Sequence, residues 1–385
     1  MIEVDGSYLE GGGQILRTAC ALSAVTKKPC RVFNIRNGRE KTGLMPQHLL
    51  GIRALSQLCN GKLEGDFLGS EEIKFYPDEI QAKDLKIKIE TAGSIILVLQ
   101  TLILPFLFTR AAVKGEEETL VSSPTAGPVK ITFEGGATDT FFSPTMDYFQ
   151  FVFLKILEKM GVKVEVNIIK RGYYPEGGAK VEIIIYPAKI KNLNLIERGN
   201  FKKITVISGA SDFLKDKKVA ERQLAGVREV LGKLKLPTEE KIEYYNTSCP
   251  GSQICLIAEF ALRPIRGAQG RPEGFEGRQA QGNPKQSRRI ENTIIGADAL
   301  GKLGKRAEDV GKEAGLELLQ EQKSGACLDK YSADQILPYM ALAQGKSQVS
   351  VSEITKHSQT NIWVIEKFLD GKFEIKDDLI SWLSR

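Results

Sequence analysis

The chain holds two histidines in 385 residues. Chemistry that needs a ring nitrogen near neutral pH therefore rests on His48 or His357. His48 stands in Gln47-His48-Leu49-Leu50, early in a helical pattern. His357 stands in Ser352-Glu353-Ile354-Thr355-Lys356-His357-Ser358-Gln359-Thr360-Asn361, just before an apolar helical stretch over 362–369. A neutral imidazole can attack phosphorus or act as a general base. A lone histidine can equally be a structural or merely exposed residue.

Two further clusters suit phosphate. Glu10-Gly11-Gly12-Gly13-Gln14-Ile15-Leu16-Arg17 runs into a helix. Its glycines allow close backbone approach to an anion, and a helix N-terminus attracts one. The same loop also serves as a tight turn before a core helix. Arg36-Asn37-Gly38-Arg39-Glu40-Lys41 places two arginines and a lysine around a glycine, which suits forked phosphate contacts. A solvated hairpin would use the same residues. Other signatures fall away. Gly345-Lys346-Ser347 resembles the tail of a Walker loop, but Met340 stands where the first glycine belongs. Lys367 to Gly371 is one residue too long for the lysine motif of nucleic-acid ligases.

The elements that must position these residues follow from periodicity. Helical stripes run over 45–59 (Leu49, Ile52, Leu55, Leu58), 145–160 (Phe149, Phe153, Ile156, Met160) and 217–234 (Val219, Leu224, Val227, Leu231, Leu234). Strand patterns occupy 30–35, 84–89, 128–133, 163–169, 180–186, 203–208 and 254–260. The alternation predicts α/β or α+β layers. Glu-Gly-Gly recurs at Glu10, Glu134 and Glu176, hinting at a repeated unit. Residues 261–290 hold six Arg, five Gly, four Gln and three Pro, so this stretch is predicted as a disordered loop. It reads as a tether or as a basic RNA-touching arm, and the tether is preferred.

Composition sets the bounds. A net charge of +6 allows a polyanionic partner without requiring one. The apolar run 94–109 contains Gln100 and Pro105 and is too short to span a bilayer, so it predicts a buried helix and no membrane partner. The start, Met1-Ile2-Glu3-Val4-Asp5, lacks the basic region of a signal peptide. Six scattered cysteines without a CxxC pair argue against structural zinc and for a reducing, cytoplasmic setting.

Five ordered segments carry a more specific message: EGGGQILR at 10–17, IRNGREKTGLMPQH at 35–48, RGYYPEGGAKVE at 171–182, YSADQ at 331–335 and KHSQTNIWVIEKFL at 356–369. Together they resemble the RNA 3'-terminal phosphate cyclase family, over nearly the whole chain except 261–290. The resemblance implies an α/β (α+β) fold of three repeated units, each a four-stranded sheet with two helices, and a smaller α/β domain inserted in the third. The main domain would comprise 1–187 and 327–385. The insert would comprise 188–326, ordered as strand 203–208, helix 217–234, strands 241–246 and 254–260, and helix 306–322.

The implied activity is ATP-dependent conversion of an RNA 3'-phosphate to a 2',3'-cyclic phosphate, through histidine-AMP at His357 and an RNA-adenylate. ATP contacts would come from Gln100, Tyr331, Ser332, Ala333, Asp334, Gln335, Glu10 and Arg17. Arg36, Arg39, Gln47 and His48 would hold RNA phosphate. Glu10 would bind a divalent metal, Mg or Mn. RNA bearing a 3'-phosphate is the expected partner, and a homodimer is compatible with the resemblance. One departure is local: the second glycine loop reads Gly135-Gly136-Ala137-Thr138-Asp139, one residue longer than the family's. The alternative is a non-catalytic, cyclase-like RNA-binding factor of ribosome biogenesis, a type that lacks the nucleophilic histidine. An enolpyruvyl-transferase-like enzyme would share only the repeat architecture.

Overall fold

The computed structural model describes residues 1–109, 127–261 and 292–384. Apart from Ala261, the predicted loop 261–290 lies outside the described residues.

One order of elements is used three times. The first unit runs β1 (Ile2–Asp5), α1 (Gly13–Thr26), β2 (Cys30–Phe33), α2 (Pro46–Leu58), β3 (Lys62–Glu64) and β4 (Ile73–Tyr76), with sheet order β1-β2-β4-β3. The second runs β5 (Leu85–Ser94), α3 (Ile95–Leu107), β6 (Val129–Ala137), a helix made of α4 (Met146–Tyr148), a π-turn at Phe149–Phe153 and α5 (Leu154–Lys159), then β7 (Lys163–Lys170) and β8 (Lys180–Tyr186). Its sheet order, β5-β6-β8-β7, is the same arrangement. In both units the first strand pair is parallel and the others antiparallel.

The third unit is split. It starts at β9 (Asn194–Leu195) and resumes at α8 (Lys330–Leu342), β14 (Ser347–Ser350), α9 (Lys356–Phe368), β15 (Gly371–Lys376) and β16 (Leu379–Ser384). Its sheet, β15-β16-β14-β9, repeats the order once more. Between the two parts lie β10 (Asn200–Ser211), α6 (Val219–Leu231), β11 (Thr238–Tyr245), β12 (Ser252–Ala261), β13 (Thr293–Leu300) and α7 (Ala307–Ser324), with their own sheet β11-β10-β12-β13. The fold is therefore three repeats plus an inserted α/β layer.

Two expectations need correction. The stretch from Ala188 includes β9, which pairs with β14, so the third sheet begins inside the segment that sequence gave to the insert. The insert also has a fourth strand, β13, antiparallel to β12, where sequence anticipated none. Ile294 and Ile295 follow directly on residues outside any periodic pattern, which hid the alternation.

The core explains the element types. Every residue of α3 except Gln100 is buried, as an apolar run surrounded by other helices must be. The helices of the three units pack on one another: α1 meets α2, α3 and α9, and α8 meets α9. One continuous apolar core serves the three units. The insert has a second core between its sheet and α6 and α7. Strand β12 is buried on both faces: Leu256, Ala258 and Phe260 face the insert core, while Cys255 and Ile257 face the main one. In α6 the predicted stripe holds for Leu224, Val227 and Leu231, but Leu234 lies past the helix end and is exposed. In the second glycine loop Gly135 (φ 81°) lies against the preceding strand, where a Cβ would stand 2.1 Å from the Ile89 carbonyl oxygen.

Candidate active site

His357 is the second residue of α9, just inside its N-terminal cap. Thr355 closes that end by accepting a hydrogen bond from the Ser358 N–H. The free N–H groups and dipole of such a terminus favour a bound anion. Facing His357 is the start of α1. Gln14 Nε2 donates to the His357 carbonyl oxygen at 2.6 Å. The Gln14 Oε1 accepts from His357 Nδ1. An amide oxygen only accepts, so this contact places a proton on Nδ1. Glu10 Oε2 lies 2.6 Å from Nε2, and Asp334 Oδ2 lies 3.7 Å from Nδ1. Burial lowers the imidazole pKa; Glu10 pulls it up, and Arg17 and Arg39 push it down.

The glycine loop makes this packing feasible. A Cβ on Gly13 would stand 2.0 Å from His48 Nε2, so that ring occupies the space that a side chain would need. His48 Nδ1 accepts the Met45 N–H at 3.3 Å, leaving Nε2–H as a donor toward the loop. Burial first, then Arg17 and Arg36, lowers His48 to about 3. The His48 ring is thus neutral at physiological pH, with Nδ1 engaged by Met45 and Nε2–H left to donate.

A cavity of about 960 Å³ opens where the three units meet, with the insert contributing to its wall. His357, Arg17, Arg36, Arg39, Gln47, His48, Gln100, Tyr331, Asp334 and Gln335 all border it. Glu10 joins through His357 and through Arg39, whose Nε donates to the Glu10 carbonyl at 2.8 Å. Arg17 is lowered to about 10 by burial, against the pull of Asp334. Asp334 is raised to about 7 by burial, against the pull of Arg17. Arg36 is also lowered, by burial and by Arg39. Three guanidinium groups crowded against two carboxylates leave this end of the cavity electropositive, as phosphate binding requires. At the other wall Gln100 Nε2 donates to Gln335 Oε1 at 3.0 Å.

Two expected residues do not reach the cavity. Ser332 and Ala333 are fully buried, and Ser332 Oγ donates to the Asp329 carbonyl. They belong to the helix that carries Tyr331, Asp334 and Gln335. Other residues at the site were not anticipated. Gln14 is the first; its signal was a polar residue in the apolar opening turn of α1. Thr18 and Asn361 bridge α1 to α9 at 2.8 Å, and Asn361 also donates to the Asp334 carbonyl. Asp298, from β13 of the insert, borders the cavity, is raised to about 7 by burial, and accepts the Thr145 N–H at 2.6 Å.

Fold and site together define a repeat-built α/β protein in which a histidine at the seam of the first and last units borders an arginine-lined cavity. Residues 8–375 match the family model described as RNA 3'-terminal phosphate cyclase, and the chain belongs to that family. Among curated relatives it is 40% identical over 381 residues to an RNA 3'-terminal phosphate cyclase of Pyrococcus abyssi, covering 98% of this chain and 96% of that one. It is 40% identical to the Pyrococcus furiosus protein of that name (98% and 95% covered). It is 39% identical to the one from Sulfolobus acidocaldarius (98% and 97%).

Proposed function

We propose that this protein is an ATP-dependent RNA 3'-phosphate cyclase that works through a histidine-AMP adduct on His357. The observation that carries the reading is the placing of His357, its Nδ1 paired with Gln14 Oε1, at the wall of a cavity lined by Arg17, Arg36 and Arg39. In the first step Nε2 attacks the α-phosphorus of ATP; a P–N bond forms, the bond to the bridging oxygen breaks, and pyrophosphate leaves. Glu10 must release Nε2 for this to happen, since a carboxylate at 2.6 Å occupies the line of attack. AMP then passes to the RNA 3'-phosphate, with the P–N bond broken and a P–O–P bond formed. The neighbouring 2'-hydroxyl attacks the activated phosphorus, expelling AMP and closing the ring. That last step is intramolecular and gains from proximity.

The residue roles follow from position. Arg17, Arg36 and Arg39 would offset charge on the phosphates. Gln47 and the neutral His48 would donate to the RNA phosphate. Tyr331, Gln100 and Gln335 would contact the nucleoside of ATP. Ser332 and Ala333 would act only by holding that helix.

Among the described residues no three His, Cys, Asp or Glu side chains form a metal cage. A magnesium-type ion commonly takes one or two carboxylates and completes its shell with phosphate and water. Glu10 fits that role, and the ion would supply charge neutralisation at the triphosphate. The six free, buried cysteines fit a reducing cell interior. No helix among the described residues is long and apolar enough to cross a membrane. The insert is best bounded after β9, near Glu197, and before Cys327. The non-catalytic alternative is disfavoured because His357 and its partners are all in place.

The test uses ATP labelled at the α-phosphate. An acid-labile, alkali-stable protein adduct is expected, lost in His357→Ala and kept in His48→Ala. Addition of 3'-phosphorylated RNA should discharge it and yield a cyclic end. Label that persists on His357→Ala would remove the mechanism.

A further inference from the structure

Phe142 borders the cavity and is fully exposed, at 101%. Its backbone is left-handed, with φ 63°. A bulky residue in that region is strained, and a ring in open solvent gains no packing in return. Folding therefore gives no reason for a phenylalanine here. Its neighbour Phe141 is turned aside, edge-on to Tyr174 with ring centroids 6.0 Å apart. The turn is fastened to the phosphate groove: Ser143 Oγ lies 2.6 Å from Ser94 Oγ, and the Ser94 N–H donates to Gln47 Oε1 at 3.4 Å. Gln47 and His48 border the same cavity.

We propose that Phe142 is a stacking platform for an unpaired base near the 3' end of the RNA whose terminal phosphate sits among Arg36, Arg39 and His48. This rests on the cyclase reading above. A bare aromatic face accepts any base, because every base has a π surface. The platform would orient single-stranded ends of any sequence and exclude ends closed in a duplex. The rival occupant is the adenine of ATP.

Two measurements on the full chain separate these. The first is anisotropy of a fluorescent, single-stranded 3'-phosphorylated oligoribonucleotide in the absence of ATP. The second is label transfer from ATP to His357 at sub-saturating ATP. Stacking of one base is worth roughly 5- to 150-fold in affinity. Phe142→Ala should therefore weaken RNA binding by roughly tenfold while leaving label transfer unchanged. Phe142→Trp should restore binding, and Phe142→Leu, which keeps apolar area but no π face, should not. An oligonucleotide abasic near its 3' end should bind wild type and Phe142→Ala equally. Equal binding of the intact oligonucleotide by wild type and Phe142→Ala overturns the platform. So does a fall in label transfer in Phe142→Ala, which would place adenine on the ring, and so does wild-type protein that fails to bind the oligonucleotide. Binding through Phe142 without any cyclisation would instead sink the cyclase reading and leave the platform standing.

Discussion

His357 is held below the usual histidine range chiefly by burial, with Glu10 pulling the other way. A lowered pKa keeps the ring neutral at more acid pH. The acid limb of single-turnover His357 labelling should therefore lie below 6.5, the value for a free imidazole. Glu10→Gln removes the upward pull, so its limb should move further toward acid. A limb at or above 6.5 in wild type would contradict the structure. Gln14→Ala should cut labelling by on the order of a hundredfold, because the ring loses its tautomer and orientation; its melting temperature should change little. Glu10 and His357 were legible in the sequence as residue types. The family resemblance set both at ATP; their direct contact was not legible, since it comes from the packing of α1 on α9.

At the scale of elements, the glycine loop is a packing device as much as an anion site. A Cβ on Gly12 would have nothing closer than Arg39 at 3.8 Å, whereas one on Gly13 would collide with His48. Gly12→Ala should fold with wild-type thermal stability, and Gly13→Ala should be clearly destabilised. Equal melting temperatures would refute that distinction. Asp329 caps α8 by accepting from the Tyr331 and Ser332 N–H groups, and also accepts from Tyr148 Oη at 2.5 Å and the Gly296 N–H at 2.9 Å. One carboxylate thus joins the second unit, the insert and the third unit. Helices α2 and α6 were legible because each turns one apolar stripe to a core, and α3 because it is an apolar run buried all round. Strand β13 was not, and with it went the insert's contribution of Asp298 to the cavity.

Across the whole molecule, the insert is fixed to the second unit by a buried charged network. Arg171 pairs with Asp139 at 3.0 Å and with Asp147, and Gln253 of β12 donates to Asp147 at 3.1 Å. Burial raises Asp139, and Arg171 opposes that rise. Arg171→Met leaves two buried carboxylates uncompensated and should cost about 3–5 kcal/mol. The sign with pH is definite. Without Arg171 the folded pKa of Asp139 rises further, and a raised carboxylate loses stability as pH climbs through it. The deficit, read from denaturant midpoints, should therefore be larger at alkaline than at acid pH. A deficit that grows toward acid would refute the assignment. The recurring Glu-Gly-Gly does not mark the repeat: Glu10 follows the first strand of unit one, whereas Glu134 lies in the second strand of unit two and Glu176 between its last two. The common sheet order was not legible either, because strand order is set by pairing between distant segments.

The seam between the first and last units has a consequence for synthesis. Gln14 is laid down 343 residues before His357, the residue it meets. Because α1 packs on α9 within one continuous core, a polypeptide released before α9 is made would lack both that wall of the cavity and the helix against which α1 rests.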